Sequence, residues 1–114
     1  MEQTQDTATL WQGEGLRLVF TAGVNARIVD EGKRFKLAVY KALLRFTGGD
    51  WGDVDGEEAQ QMDAIRAALD SADRSEPRLL MGEYTAAGER IWITRQVTDV
   101  DGGQSLTVLF PDEY

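Results

Sequence analysis

The chain has 114 residues, the size of one ordinary domain, and 42% of them are hydrophobic, including three Trp, three Tyr and four Phe. That is enough for one core and too apolar for a disordered acidic tail. Twenty acids against twelve bases leave a formal net charge of −8, which repels nucleic acid and favours a basic protein surface as partner. The absence of cysteine and histidine removes disulfides, zinc-thiolate sites, thiol nucleophiles and the commonest general base.

Taken in chain order, residues 1–9 are polar and are expected to fray. The opening MEQTQDTATLWQ has no basic and apolar leader pattern, and no stretch approaches the roughly 20 apolar residues of a membrane span. A cytoplasmic, membrane-free protein is the expectation. From Leu16 to Phe20 the order LRLVF places Leu16, Leu18 and Phe20 on one face of a strand. Ala22-Gly23-Val24-Asn25 interrupts this pattern, and Arg27 to Val29 fit either a further strand or a turn.

Phe35, Val39, Leu43 and Phe46 recur at spacings of four, four and three, which predicts a helix over 32–47. Leu37, Tyr40 and Leu44 flank this stripe and suggest a broad apolar face, while Arg34, Lys41 and Arg45 occupy the opposite side. Gly48-Gly49 supplies the stop. A second helix is expected to begin near Asp55, where Asp55-Gly56-Glu57-Glu58 matches a capping box, and to bury Ala59, Met62, Ile65 and Leu69. Ser71 to Pro77 then reads as a polar connection.

The last third suggests strands at 78–85, 90–98 and 105–110, joined by Ala86-Ala87-Gly88-Glu89 and by a turn around Asp99–Gln104. Short links with glycine favour antiparallel hairpins. The expected fold is therefore a single α+β domain of order β-α-α-β-β-β, with two helices packed on one face of an antiparallel sheet.

Charge is concentrated rather than spread. Between Thr47 and Ala64 there are six carboxylates (Asp50, Asp53, Asp55, Glu57, Glu58 and Asp63) and no Lys or Arg. A second base-free stretch, Gln96 to Tyr114, adds Asp99, Asp101, Asp112 and Glu113. The loop is not a calcium-binding EF-hand. Aligning Asp53, Asp55 and Gly56 with its third, fifth and sixth positions puts Trp51 and Met62 where oxygen ligands are required. No metal or cofactor is expected. Helix capping and dipole complementarity account for Asp55, Glu57 and Glu58, but not for Asp50 and Asp53, which precede the cap. Two readings stay open: a solvated acidic face, or a carboxylate array that occupies a groove built for phosphates.

Aromatic residues add a second clue. Ile91 and Ile93 share one side of their strand while Trp92 and Thr94 take the other. If helices cover the Ile side, then Trp92, Leu109 and Tyr84 would lie on the uncovered face, as an interface or beneath the N-terminal segment through Trp11. Trp51 fits a plug at the end of the core between the helices, or an exposed anchor. Lys33, Arg34, Lys36, Lys41 and Arg45 cluster on the first predicted helix without aromatic interleaving, so pairing with neighbouring acids is the simpler reading. Neither a phosphate-cradling glycine loop with lysine nor a distinguishable carboxylate pair is present, and a non-enzymatic role is expected, with no catalytic residues.

Four segments carry a resemblance: Gly49-Asp50-Trp51-Gly52-Asp53; Arg78-Leu79-Leu80 with Tyr84; Ile91-Trp92-Ile93-Thr94; and Thr107-Val108-Leu109-Phe110-Pro111-Asp112-Glu113-Tyr114. Over about residues 15–114 the chain resembles a family of small plasmid- and phage-associated proteins with a GDWGD loop, a Lys-Ile-Trp-Ile type strand and a Val-Leu-Leu-Pro-Glu-Glu-Tyr type ending. It departs from that pattern at Arg90 and in a longer final hairpin around Val100–Gln104. The resemblance implies a mobile-genetic-element context, not a mechanism. Combined with the acidic surface, it leads to the expectation of an accessory protein that binds a basic surface of a host nucleic-acid-targeting defence complex. Such a protein would act as an anti-CRISPR or antirestriction inhibitor does, without contacting nucleic acid directly. Asp50, Trp51, Asp53, Asp55, Glu57, Glu58, Asp63 and Trp92 are the candidate partner-binding residues. The alternative is a homodimeric structural or regulatory module of a plasmid or phage, associating through the Trp92 face.

Overall fold

The structure is a computed structural model that describes residues 7–13, 16–70, 79–97 and 104–114. The expected polar connection at 71–77 and most of the turn at 99–104 lie outside the described residues, as do residues 1–6. Five strands, β1 (Thr7–Gly13), β2 (Leu16–Thr21), β3 (Leu79–Ala86), β4 (Glu89–Val97) and β5 (Gln104–Leu109), form one sheet in the order β1-β2-β5-β4-β3. Among the described residues, three helices, α1 (Ala22–Glu31), α2 (Lys33–Thr47) and α3 (Gly56–Asp70), run between β2 and β3. The fold is α+β.

The sheet is mixed, which corrects the antiparallel expectation: β2 and β5 are parallel, with Leu18 opposite Leu106 and Phe20 opposite Val108. The helical crossover is the reason. It returns the chain to the sheet in the direction of β2, and the two reversals β3–β4 and β4–β5 restore that direction in β5. Thr7–Thr9 do not fray, as residues 1–9 were expected to. They belong to β1 and pair with Val19–Thr21, because the edge of β2 would otherwise expose an unpaired row of backbone donors and acceptors.

A third helix, α1, occupies the interval where periodicity broke down. Thr21 caps it, its hydroxyl accepting the Val24 N–H at 3.4 Å, and Val24 is its one fully buried side chain. The chain's end secures the same corner. The Glu113 carboxylate accepts the Thr21 hydroxyl at 2.6 Å and the Gly23 and Phe110 N–H groups at 2.9 Å each. A carboxylate placed against free helix N–H groups satisfies donors that the helix itself cannot. Gly32, at φ +68°, separates α1 from α2.

The core lies between the helices and one sheet face. Phe35, Val39, Ala42, Leu43 and Phe46 of α2 pack into the cluster formed by Phe20, Leu80, Tyr84, Ile91, Ile93, Leu106 and Val108. Leu37 and Leu44 do not broaden this face; they are exposed on the far side of α2, while Tyr40 flanks the core with its ring 6.4 Å from that of Phe20 and keeps 38% of its surface exposed. The reason is angular: at about 3.6 residues per turn, positions 37 and 44 lie opposite positions 35, 39 and 46. In α3, Leu69 is buried, while Ala59, Met62 and Ile65 pack partly against the core, as their spacing predicts.

Candidate functional site

The acidic loop between α2 and α3 is fastened to the rest of the fold at almost every residue. The chain turns out of α2 at Gly49 (φ +92°), and the Asp50 N–H returns to the Arg45 carbonyl at 2.8 Å. Trp51 and Asp53 then run alongside β3. The Glu83 N–H donates to the Trp51 carbonyl at 3.0 Å, and the Asp53 N–H donates to the Glu83 carbonyl at 2.8 Å. These bonds bridge Gly52 to Glu83 and cover part of a sheet edge. Only glycine fits between them. Gly52 has φ +79°, and a Cβ there would stand 1.9 Å from the Glu83 carbonyl oxygen.

Side chains complete the frame. Trp51 is 3% exposed, packs edge-on against Phe46 at 5.4 Å, and donates its indole N–H to Asp63 Oδ1 at 2.9 Å. The Tyr84 hydroxyl donates to the Asp50 carbonyl at 2.6 Å, and the Arg45 guanidinium lies 5.2 Å from the centre of the Tyr84 ring. Arg45 Nε also donates to Asp50 Oδ2 at 2.8 Å, while Asp50 Oδ1 accepts the Gly52 N–H at 3.0 Å. These bonds, that from Arg45 foremost, hold the Asp50 carboxyl below its ordinary range. Burial, and after it the Asp50 charge, pushes the Tyr84 phenol upward. Farther along, Asp53 pairs with Arg90 at 2.8 Å, and Asp55 Oδ1 accepts the Glu58 N–H at 2.7 Å, the capping contact expected at the start of α3.

The candidate residues therefore separate. Trp51 is the core plug, so it is corrected as a partner anchor: its ring is already spent on Phe46 and the hydrophobic core. Asp63 is exposed but tied to Trp51. Asp50, Asp53, Asp55 and Glu57 are exposed and Glu58 is half-buried, an acidic rim along one stretch of nine residues. The Asp50 and Asp53 side chains keep 53% and 55% of their accessible surface despite their arginine partners. Trp92 belongs to β4, one strand in from the β3 edge that the loop covers. It lies opposite Glu83 of β3, on the sheet face away from the helices, half-buried with the Tyr114 ring 5.5 Å away. Tyr84 was expected on that face too, but its pairing with Ile91 turns it into the core. β1 extends the sheet beside β2, and Tyr114 supplies a ring against Trp92; the side chain of Trp11 lies outside what the structure describes.

Of the contacts that hold the site, the expected pairing of the helix bases with neighbouring acids is met by Arg45 with Asp50, whereas Arg90 as the partner of Asp53 and Glu113 as the clasp at α1 were missed. The Arg45 pair has a local signal, since Arg45 precedes Asp50 by five residues across a helix stop. No local signal could reveal contacts spanning 37 and 92 positions.

A cavity of about 230 Å³ lies at the far end of α2, lined by Phe46, Thr47, Arg66, Leu80, Arg95 and Leu106. Arg66 donates to the Thr47 carbonyl at 2.9 Å, and Arg95 bonds Gln104, which in turn reaches the Leu69 carbonyl at 3.3 Å. These polar groups are tethers between elements. Among the described residues, no group of three or more His, Cys, Asp or Glu side chains is placed to hold a metal ion. No described helix is long and apolar enough to cross a membrane. Comparison with family models, with curated proteins and with solved structures finds no match to the chain.

Proposed function

We propose that this chain is a non-enzymatic inhibitor that docks its acidic rim on a basic surface of a host nucleic-acid-targeting defence complex, in the manner of anti-CRISPR or antirestriction proteins. The observation that supports this reading is the rim itself. Asp50, Asp53 and Asp55 are presented on a loop fixed by Trp51, Gly52 and Tyr84, and Glu57 and Glu58 on the first turn of α3, so little ordering cost remains on binding. The Arg45 and Arg90 pairs do not remove these acids from use. Exposed pairs of this kind contribute about 0–1 kcal/mol, and arginines of a partner can exchange with them. A defence complex as the target rests on the mobile-element context that the sequence resemblance implies.

The test is capture from host lysate, with partners identified by mass spectrometry, beside an Asp53→Lys/Glu57→Lys/Glu58→Lys variant. Asp50, Asp55 and Asp63 are left alone because each accepts a bond that fastens the loop or α3, whereas Asp53 gives up only an exposed pair with Arg90. The expected outcome is a nucleic-acid-targeting effector captured by the native chain alone, with salt-sensitive binding and an unchanged melting temperature. Equal capture of that effector by both forms would sink the reading. Recovery of the chain alone, equally from both forms, would shift the reading to self-association through the Trp92–Tyr114 face.

A further inference from the structure

We propose that the outward face of α2 is a separate docking surface, and that its occupant is an acidic amphipathic helix of a partner protein. Leu37, Tyr40 and Leu44 are 58%, 38% and 73% exposed. Their spacing of three and four aligns them as one ridge about two turns, or ~10 Å, long. Lys33, Arg34, Lys36 and Lys41, all exposed, border this ridge, and Lys36 Nζ lies 5.9 Å from the centre of the Tyr40 ring. No acid occurs within Lys33–Thr47, although the chain as a whole carries −8. The helix is anchored from behind by Phe35, Val39, Ala42, Leu43 and Phe46, so the ridge is rigid before anything binds it.

Charge and shape together select the occupant. A second copy of α2 would bring cations against cations. The first turn of α3 in a second copy offers carboxylates, but its apolar stripe faces its own core. Nucleic acid is drawn to cations but not to a leucine ridge, and the net charge of the chain opposes both it and an anionic lipid surface. A helix with an apolar seam between acidic margins matches the ridge and its borders together, through anchors at positions i, i+3 and i+7. This surface uses none of the acidic-rim residues and stands whether or not the rim binds a defence complex.

The test uses the full chain and two synthetic helical peptides of about three heptads, identical in their leucine seam but flanked by Glu in one and Lys in the other. Binding is read by fluorescence anisotropy and by backbone amide shifts. The Glu peptide is expected to bind, with shifts centred on Lys33–Arg45, and to weaken with salt. Its affinity should fall about tenfold or more in Leu37→Ser/Leu44→Ser, the loss expected when two anchors of an interface are removed. Lys33→Glu/Lys36→Glu/Lys41→Glu, which keeps the leucines, should reverse the preference towards the Lys peptide. Glu57→Lys/Glu58→Lys should leave the Glu peptide bound at least as well. All these positions are on the surface, and melting curves establish that each variant is folded. Equal affinity for both peptides, no binding, or shifts away from α2 would overturn the proposal. So would preferential binding of phosphatidylserine vesicles or duplex DNA, or self-association abolished by the leucine changes.

Discussion

Helices α2 and α3 are each fifteen residues long and face the same sheet, yet the fold uses them differently. Helix α2 buries five side chains and carries only basic charge; α3 buries Leu69, leans three more apolar residues on the core, and begins with two glutamates. Between them stands Trp51, whose ring rests on Phe46 of α2 and whose indole N–H is bound by Asp63 of α3. Periodicity of equal length therefore conveys unequal anchorage. What separates the two is how much of the inward stripe is buried: two phenylalanines, a valine, a leucine and an alanine in α2, against Leu69 with partly buried alanine, methionine and isoleucine in α3.

The strongest challenge to this contrast is truncation on each side. Phe46→Ala, which empties the space beneath Trp51, should cost about 3–5 kcal/mol, whereas Ile65→Ala, half-buried, should cost about half as much. Urea unfolding of both variants measures this directly, and equal losses would show α3 to be as deeply anchored as α2. Next in size is Gly52→Ala. A methyl group against the Glu83 carbonyl, at a φ that side chains rarely adopt, should cost about 2–3 kcal/mol. It should also free the loop from β3, which hydrogen exchange at the Glu83 and Asp53 amides would detect.

Much of the architecture was legible because it is local. The inward stripes of α2 and α3, the Asp55 cap and the strands of the last third all follow from periodicity and turn chemistry. Helix α1 was not, because one fully buried valine gives no stripe and its N-terminal clasp, Glu113, arrives from the other end of the chain. The mixed sheet was hidden for a similar reason, since strand direction depends on how the crossover returns. The site shows the limit most clearly. Gly-Asp-Trp-Gly-Asp looked like a binding loop from its charge, but Asp50, Trp51 and Gly52 are chiefly fasteners, and the C-terminal Glu113 and Tyr114 likewise hold α1 and Trp92. The segments that stood out in the sequence are thus mostly segments that the fold requires. The exposed leucines of α2 mislead in the opposite sense: their spacing suits a core, and only the position of the sheet shows that they face outward.

Tyr84→Phe makes the smallest change and tests the bond that joins β3 to the loop. It deletes the hydroxyl that donates to the Asp50 carbonyl and should cost about 1 kcal/mol at neutral pH. Its pH signature is more specific than its size. Burial, reinforced by the Asp50 charge, raises the phenol above its unfolded value of about 10. Above that pH the unfolded chain releases a proton that the folded chain retains, so unfolding gains and stability falls. The contribution is whole below about pH 10 and is lost as pH rises toward the folded value. The difference in stability between native and Tyr84→Phe chains should therefore be constant through neutral pH and shrink above it. A difference that stays flat into strong alkali would mean that the Tyr84 hydroxyl reaches solvent and does not clasp the loop to β3.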